Sequence, residues 1–369
     1  MLFWYGFTLY IYFLTFFTYD NKKWRFLPWL FLFIVSAFRY NVGTDYAHYY
    51  HLYVYKDGMF WYKELGYTQL VSILSDLGFN PQMMFFTFSL FTIILFYKSF
   101  IYFFKNDDTK FLFATLLFIP LFYFYSLNGI RQALAIAIFF YSLRYVINKS
   151  FFKYFILIII ATLFHRSAFI LIPIYFILQL DLTKYKLFMF YIFLILFFLI
   201  NPIKYIEEIF VSNQLPLYYY FNDENAMQGV SGFGKVVAIS SVLLILSLSY
   251  ILDREKPIEK LIFNSMLIFA FIKILALEIS FLDRFSLYFK PLMVLFIIYI
   301  GNKVIKKVKY SKNIILVSLI LLSFSYTSLV VYIRGNHDES YNQYALNLYL
   351  YGKEDGILQI YRDANRVKY

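Results

Sequence analysis

The chain has 369 residues, 62% of them hydrophobic and only 15% charged, and its 34 Lys and Arg against 22 Asp and Glu leave a net charge of +12. Such a chain is too apolar for a soluble domain, and apolar runs near the length of a bilayer crossing recur from end to end, as in a polytopic membrane protein. The absence of cysteine excludes disulfides, thiolate nucleophiles and zinc ribbons, and the positive balance reads as membrane topology, with no nucleic-acid partner expected.

Leu2 to Phe17 has neither a basic leader nor a small-residue cleavage site and is expected to be a first span. Further candidate spans cover 26–38, 83–104, 111–127, 129–147, 151–164, 167–180, 186–200, 233–252, 259–277, 284–300 and 313–333. The expectation is an all-α polytopic membrane protein of roughly twelve transmembrane helices, some short or broken where they line a cavity. Lys and Arg fall in alternate connections. Lys22, Lys23 and Arg25 lie in the first, Lys105 and Lys110 in the third, and Arg144, Lys149 and Lys153 in the fifth. Lys184 and Lys186, then Arg254, Lys256 and Lys260, then Lys303 to Lys312 continue the pattern. The positive-inside rule puts these in the cytoplasm and both termini outside.

The remaining connections are then extracytoplasmic, and they hold nearly every unusual polar residue: Arg39 to Lys63, Asn128-Gly129, His165-Arg166-Ser167, Asn201 to Gly232 and Glu278 to Arg284. Leu65 to Leu77 carries Tyr67, Leu70, Val71, Leu74 and Leu77 at helical spacing and predicts an amphipathic helix on that outer face. One transmembrane domain is expected over 1–333, with extracytoplasmic loops at 39–82 and 201–232 and an extracytoplasmic tail over 334–369.

Arg131 sits one step inside a run that otherwise reads as buried hydrocarbon, directly after the Asn128-Gly129 break. A charge at that depth costs a few kcal/mol or more, so it requires an anionic partner or a watery cavity. A guanidinium at a helix N-terminus, where free N–H groups point outward, suits phosphate or pyrophosphate, with Asn128 and Gln132 beside it. The alternative is an arginine that satisfies loop carbonyls. Arg39 to His51, RYNVGTDYAHYYH, reads as a Gly-Thr-Asp turn followed by a loop of interleaved aromatics. Asp45, His48 and Tyr49 there suit a sugar and Arg39 a phosphate, while an interfacial aromatic belt with a snorkelling arginine explains the same residues. His48 and His51 with one Asp are too sparse for a metal, and none is expected.

His165 combines a pKa suited to proton transfer with a neighbouring Arg166, or else caps a helix end. Asp283-Arg284, with Tyr288 a turn later, opens another span on the same face; Arg284 there suits phosphate, unless Asp283 pairs with it. Glu64, Glu207, Glu208, Asp223 and Glu224 read as solvated loop carboxylates, any one of which is also a candidate base. No P-loop, GxGxxG, GxSxG or HExxH is present, so nucleotide-driven, dehydrogenase and zinc-hydrolase chemistry lack support, and no cofactor is expected.

Arg39-x3-Gly43-Thr44-Asp45-x3-Tyr49, Glu64-x-Gly66-Tyr67, Asn128-x2-Arg131-Gln132, Phe164-His165-x-Ser167-Ala168 and Asp283-Arg284-x3-Tyr288-Phe289 occur in this order. The set resembles the EpsG-type family of bacterial polysaccharide polymerases, related in role to the Wzy polymerases of O-antigen and capsule assembly. The resemblance implies a C-type (GT-C) glycosyltransferase membrane fold in the cytoplasmic (inner) membrane, with the active site on its periplasmic face. It also implies polymerisation, in which an acceptor sugar hydroxyl attacks the anomeric carbon of a lipid-linked repeat unit and undecaprenyl pyrophosphate leaves. Under it, Arg131, Arg284, Arg166 and Arg39 are candidates for the pyrophosphate. His165, then Asp45, are candidates for the base, and Asn128, Gln132, Tyr49, His48 and Tyr288 for binding sugar or orienting the reacting groups. The partners it implies are the undecaprenyl-pyrophosphate-linked glycan, membrane lipid, a chain-length regulator and a flippase.

Three other readings compete. A lipid-linked glycan flippase needs basic residues through the whole membrane depth, and a membrane O-acyltransferase acting on surface glycans needs an entry for a cytoplasmic acyl donor. A non-catalytic scaffold leaves Arg131 and His165 without a purpose. The sidedness has a direct test: a reporter fused after Lys309 is expected to report cytoplasm, and one fused after Tyr341 the outside.

Overall fold

The computed structural model describes residues 1–56, 64–182, 192, 232–277, 279–307, 312–337 and 345–346. The expected span 186–200, almost all of the 201–232 loop with its carboxylates, Glu278 and most of the 334–369 tail lie outside the described residues. The chain divides into two compact units, Met1–Ile172 with Val308–Tyr369, and Pro173–Lys307.

The first unit holds α1 (Leu2–Thr18), α2 (Leu27–Ala37), strand β1 (Arg39–Tyr40), α3 (Tyr46–Tyr55), α4 (Leu65–Asp76), α5 (Pro81–Phe103) and α6 (Asp108–Ser126). It continues with α7 (Ile130–Ile147), α8 (Phe151–Phe164) and a 3-10 turn over Arg166–Leu171. The second unit holds α9 (Ile174–Gln179), α10 (Gly232–Ser249), α11 (Pro257–Leu275), α12 (Asp283–Ser286) and α13 (Lys290–Lys307). Helix α14 (Lys312–His337) returns to the first unit, as does strand β2 (Ala345–Leu346), which pairs antiparallel with β1. Among the described residues, four helices are long and apolar enough to cross a membrane, Pro81–Phe103, Asp108–Ser126, Ile130–Ile147 and Asp283–Val304, and five shorter helices are apolar as well. The protein is a mostly helical membrane protein.

Local chemistry sets the helix ends of the first unit. Asn80 accepts from Gln82 N at 3.0 Å ahead of Pro81, which supplies the fixed φ of a first helical turn. Asp107 accepts from Lys110 N at 3.0 Å at the start of α6. Pro120 cannot donate within α6, and the helix absorbs it as a π turn over Ile119–Tyr123. Helix α7 is the most buried of the long helices and packs against α5 and α8. Phe96 anchors an aromatic core, with ring centroids 4.7 Å from Phe122, 4.9 Å from Phe118 and 5.5 Å from Phe140.

One end of this unit is basic: Arg25 lies 3.6 Å from Asp108, and Arg144 Nη2 donates to Lys98 O at 3.3 Å. At the other end, the chain leaves α2 at Arg39, α6 at Leu127 and α8 at His165.

The run 167–180, expected as one short span, breaks between the 3-10 turn and α9 at Ile172-Pro173, because Pro173 has no N–H for the preceding turn. The 46–55 stretch, expected as loop, is helical. Its Tyr46, Tyr49, Tyr50 and Tyr53 fall at i, i+3, i+4 and i+7 and form one buried face, so the aromatics are a helix stripe packed inward. Helix α4 follows its expected periodicity at Tyr67, Val71 and Leu74, which are buried, whereas Leu77 is exposed.

Polar groups tie α14 to α1. Tyr12 Oη lies 2.6 Å from Ser323 Oγ and 3.0 Å from Thr327 Oγ1, and donates to Leu116 O at 3.2 Å. Thr327 and Ser323 keep carbonyl partners of their own, so Tyr12→Phe is expected to cost only about 1 kcal/mol, read as a lower melting temperature in detergent.

Candidate functional site

Glu64 is the centre of the end of the first unit opposite Arg25 and Arg144. It precedes α4, and its carboxylate is 4% exposed, not the solvated loop carboxylate that its sequence context suggests. Its Oε2 accepts from Arg131 Nη1 at 2.5 Å, and its Oε1 accepts from the Arg166 backbone N at 3.1 Å. His165 Nδ1 lies 3.0 Å from the same Oε1, close but poorly aligned, and this buried nitrogen has no hydrogen-bond partner. Three chain segments, the starts of α4 and α7 and the end of α8, thus meet on one carboxylate. Burial opposes the charge of Glu64, but His165, the Arg131 guanidinium and the Arg166 N–H together hold its carboxyl below the ordinary value. Glu64 is therefore ionised at neutral pH.

The meeting of α4 with α8 needs a glycine. A Cβ at Gly66 would come within 3.0 Å of Leu163 O, so only a bare backbone lets the start of α4 lie against the last turn of α8.

Arg131 is held on three sides. Besides Glu64, its Nε donates to Tyr49 Oη at 3.4 Å, and its guanidinium carbon lies 5.1 Å from the Tyr67 ring centroid and 5.5 Å from that of Tyr49. The anionic partner expected for this charge is thus a side chain of the protein. Gln132 Oε1 accepts from Tyr125 Oη at 2.6 Å. Asn128 Oδ1 accepts from Asp45 N and from Thr44 Oγ1, both at 2.9 Å, which docks the Gly-Thr-Asp turn on the helix break.

Gly43 makes that docking possible. Its φ is +100°, and a Cβ there would meet Leu127 O at 3.0 Å and Asn128 Oδ1 at 3.1 Å.

Arg39 is fully buried and donates to the carbonyls of Ser36, Val42 and Leu127, the last at 2.9 Å, with its guanidinium carbon 4.8 Å from the Phe85 ring centroid. Its charge is spent on the turn and on the end of α6. Gln82 accepts from Tyr46 Oη at 3.0 Å and donates to Ala37 O at 2.5 Å, bracing the same corner. Asp45 and His48 are half-buried on α3. Burial, reinforced by Arg131 and His51 and opposed by Asp45, holds His48 below its ordinary value, so it is neutral. Arg166 is exposed beside His165.

The first unit therefore gathers Asp45, His48, Tyr49, Asn128, Arg131, Gln132, His165 and Arg166 at one end. Arg284 and Tyr288 belong to the second unit, where Asp283 Oδ1 accepts from Lys273 Nζ at 2.6 Å and from Ser286 Oγ at 2.8 Å. Arg284 is exposed and Tyr288 buried. Among the described residues, no group of three or more His, Asp or Glu is arranged to hold a metal.

The sequence offers Glu64 only as one of five loop carboxylates and in the Glu64-x-Gly66-Tyr67 pattern, with nothing to set it at the centre of the cluster. Its signal was positional: an acidic residue next to a glycine at the start of an amphipathic helix.

Gly43→Ala is expected to strain the turn and push Asn128 away, lowering stability by at least about 1 kcal/mol in a thermal melt and reducing activity with it.

Comparison with curated proteins and with solved structures finds no match. The model of the EpsG family matches residues 22–346, which takes in every residue of the Glu64 cluster and most of the chain, and the protein belongs to that family.

Proposed function

We propose that this protein is a polysaccharide polymerase that joins undecaprenyl-pyrophosphate-linked oligosaccharide repeat units at the periplasmic face of the bacterial cytoplasmic membrane. The reading includes about twelve spans in a C-type glycosyltransferase arrangement. The observation that supports it most is the juxtaposition of a histidine, a carboxylate and two arginines at one end of a membrane-embedded helical unit.

The residues suit the reaction. An acceptor hydroxyl gives its proton to His165 as its oxygen bonds the anomeric carbon, and the bond from that carbon to the pyrophosphate oxygen breaks with the electron pair leaving on phosphate. Two cationic groups, Arg131 in the first turn of α7 and the exposed Arg166 beside His165, face the charge that grows on the leaving group. Arg284, in the second unit, is a candidate phosphate-binding residue of that unit. Asp45, His48 and Tyr49 offer polar and aromatic edges to a sugar, and Asn128 and Gln132 set the helix break that carries Arg131. We assign Arg39 to holding the turn, since three carbonyls already share its donors. A flippase is disfavoured because the charged residues of the first unit collect at its ends. A chain-length regulator and a flippase are the partners this role requires.

The test is incubation of the purified protein in nanodiscs with its lipid-linked repeat unit alone. A ladder of repeat-unit multiples with release of undecaprenyl pyrophosphate is expected; transport of the unit across a sealed vesicle without a ladder would make the protein a flippase. His165→Ala is expected to reduce ladder formation by roughly 10²–10⁴-fold with normal membrane insertion. Arg131→Lys loses the planar fork and is expected to cost on the order of a hundredfold in rate. Full activity in the lysine variant would argue against pyrophosphate binding there.

A further inference from the structure

We propose that Glu64 is the positioning residue that couples donor binding to the base, an inference that rests on reading His165 as that base. In the resting protein the carboxylate is divided between Arg131 and the α8 end. When an anionic donor takes over the Arg131 guanidinium, the carboxylate turns to His165 Nδ1 and presents Nε2 to the acceptor hydroxyl.

Three observations carry this. First, Glu64 Oε1 already lies 3.0 Å from His165 Nδ1, yet that nitrogen is buried without an aligned partner, so a small rotation of the carboxylate supplies the missing bond. Second, what holds the carboxylate out of line is Arg131 on Oε2 at 2.5 Å, the group that a pyrophosphate would claim. Third, neither backbone has room to retreat. Gly66 fixes the start of α4 on Leu163, and Arg131 keeps Tyr49 and Tyr67 when Glu64 lets go. Only the Glu64 side chain has to move.

The proton balance is simple. Nδ1 keeps its hydrogen throughout and donates it to Glu64 once the carboxylate has turned, and Nε2 takes the acceptor proton as the bond to the anomeric carbon forms and the pyrophosphate departs with its electron pair. The proton then passes from Nε2 to solvent. Glu64 touches neither sugar nor phosphate. Its effect on the rate runs through His165, and its effect on affinity runs through Arg131.

The experiment compares wild type, Glu64→Gln, His165→Ala and the double variant in nanodiscs, reading undecaprenyl pyrophosphate binding and ladder formation separately. Glu64→Gln is expected to bind undecaprenyl pyrophosphate several-fold more tightly than wild type, because a charged competitor for Arg131 is gone, while turnover falls about a hundredfold. His165→Ala removes the bond that compensates Glu64 for the loss of Arg131 and is expected to bind more weakly than wild type, and the double variant is no slower than His165→Ala alone. Weaker or unchanged binding in Glu64→Gln, or rate losses that multiply in the double variant, would overturn the proposal. Should Glu64→Gln fail to insert, Glu64→Asp keeps the charge on a shorter arm; slowed turnover with undiminished binding supports the coupling, and unimpaired turnover overturns it. If wild type makes no ladder, the polymerase reading fails by itself, while the binding comparison still decides whether Glu64 competes for Arg131.

Discussion

One end of the first unit depends on one ion pair, Arg131 with Glu64. Neither group is tolerable alone where it lies, since the arginine opens a mostly buried helix and the carboxylate is almost wholly removed from water. Paired, they join the start of α4 to the start of α7, and the second oxygen of the carboxylate extends the junction to the end of α8. Three segments far apart in the chain are registered by four atoms. The aromatic faces of Tyr49 and Tyr67 complete the enclosure and lower the local dielectric, which strengthens the attraction they surround.

Much of this architecture is visible in the chain itself, and the parts that are not share a cause. Long apolar runs mark the helices because lipid demands them, and the observed boundaries of α5, α7 and α8 fall within two residues of the expected ones. The α4 periodicity is likewise legible, as is the need of Arg131 for an anion. Which anion is not legible, because Glu64 lies 67 residues away and local pattern carries no information on such a pairing. Arg39 is similar: its bond to Leu127 spans 88 residues, and nothing near it in the chain separates a carbonyl-bound arginine from a phosphate reader. The α3 stripe is a different kind of miss. Four tyrosines stand at helical spacing, but the interleaved histidines and the preceding Gly-Thr-Asp are equally compatible with a loop.

The two glycines of the site do related work. Gly66 brings backbone against backbone so that Glu64 is carried to the α8 end, and Gly43 adopts a conformation that lets the Thr44-Asp45 turn sit on Asn128. Both remove side-chain bulk where precision of approach matters more than packing. Around them Arg39 and Gln82 satisfy carbonyls that would otherwise be left bare at the ends of α2 and α6. The backbone of this corner is therefore closely held, by close approach at the two glycines and by satisfied carbonyls.

The discontinuity of the first unit sets an order of events during synthesis. Residues Met1–Ile172 cannot complete their packing until Val308–Tyr369 arrives, because Tyr12 finds Ser323 and Thr327 on the last described helix. Until α14 is made, the α1 tyrosine has only the Leu116 carbonyl of these three partners. A substitution at Ser323 or Thr327 is therefore felt at Tyr12, more than three hundred residues earlier in the chain, within the same unit that bears Glu64.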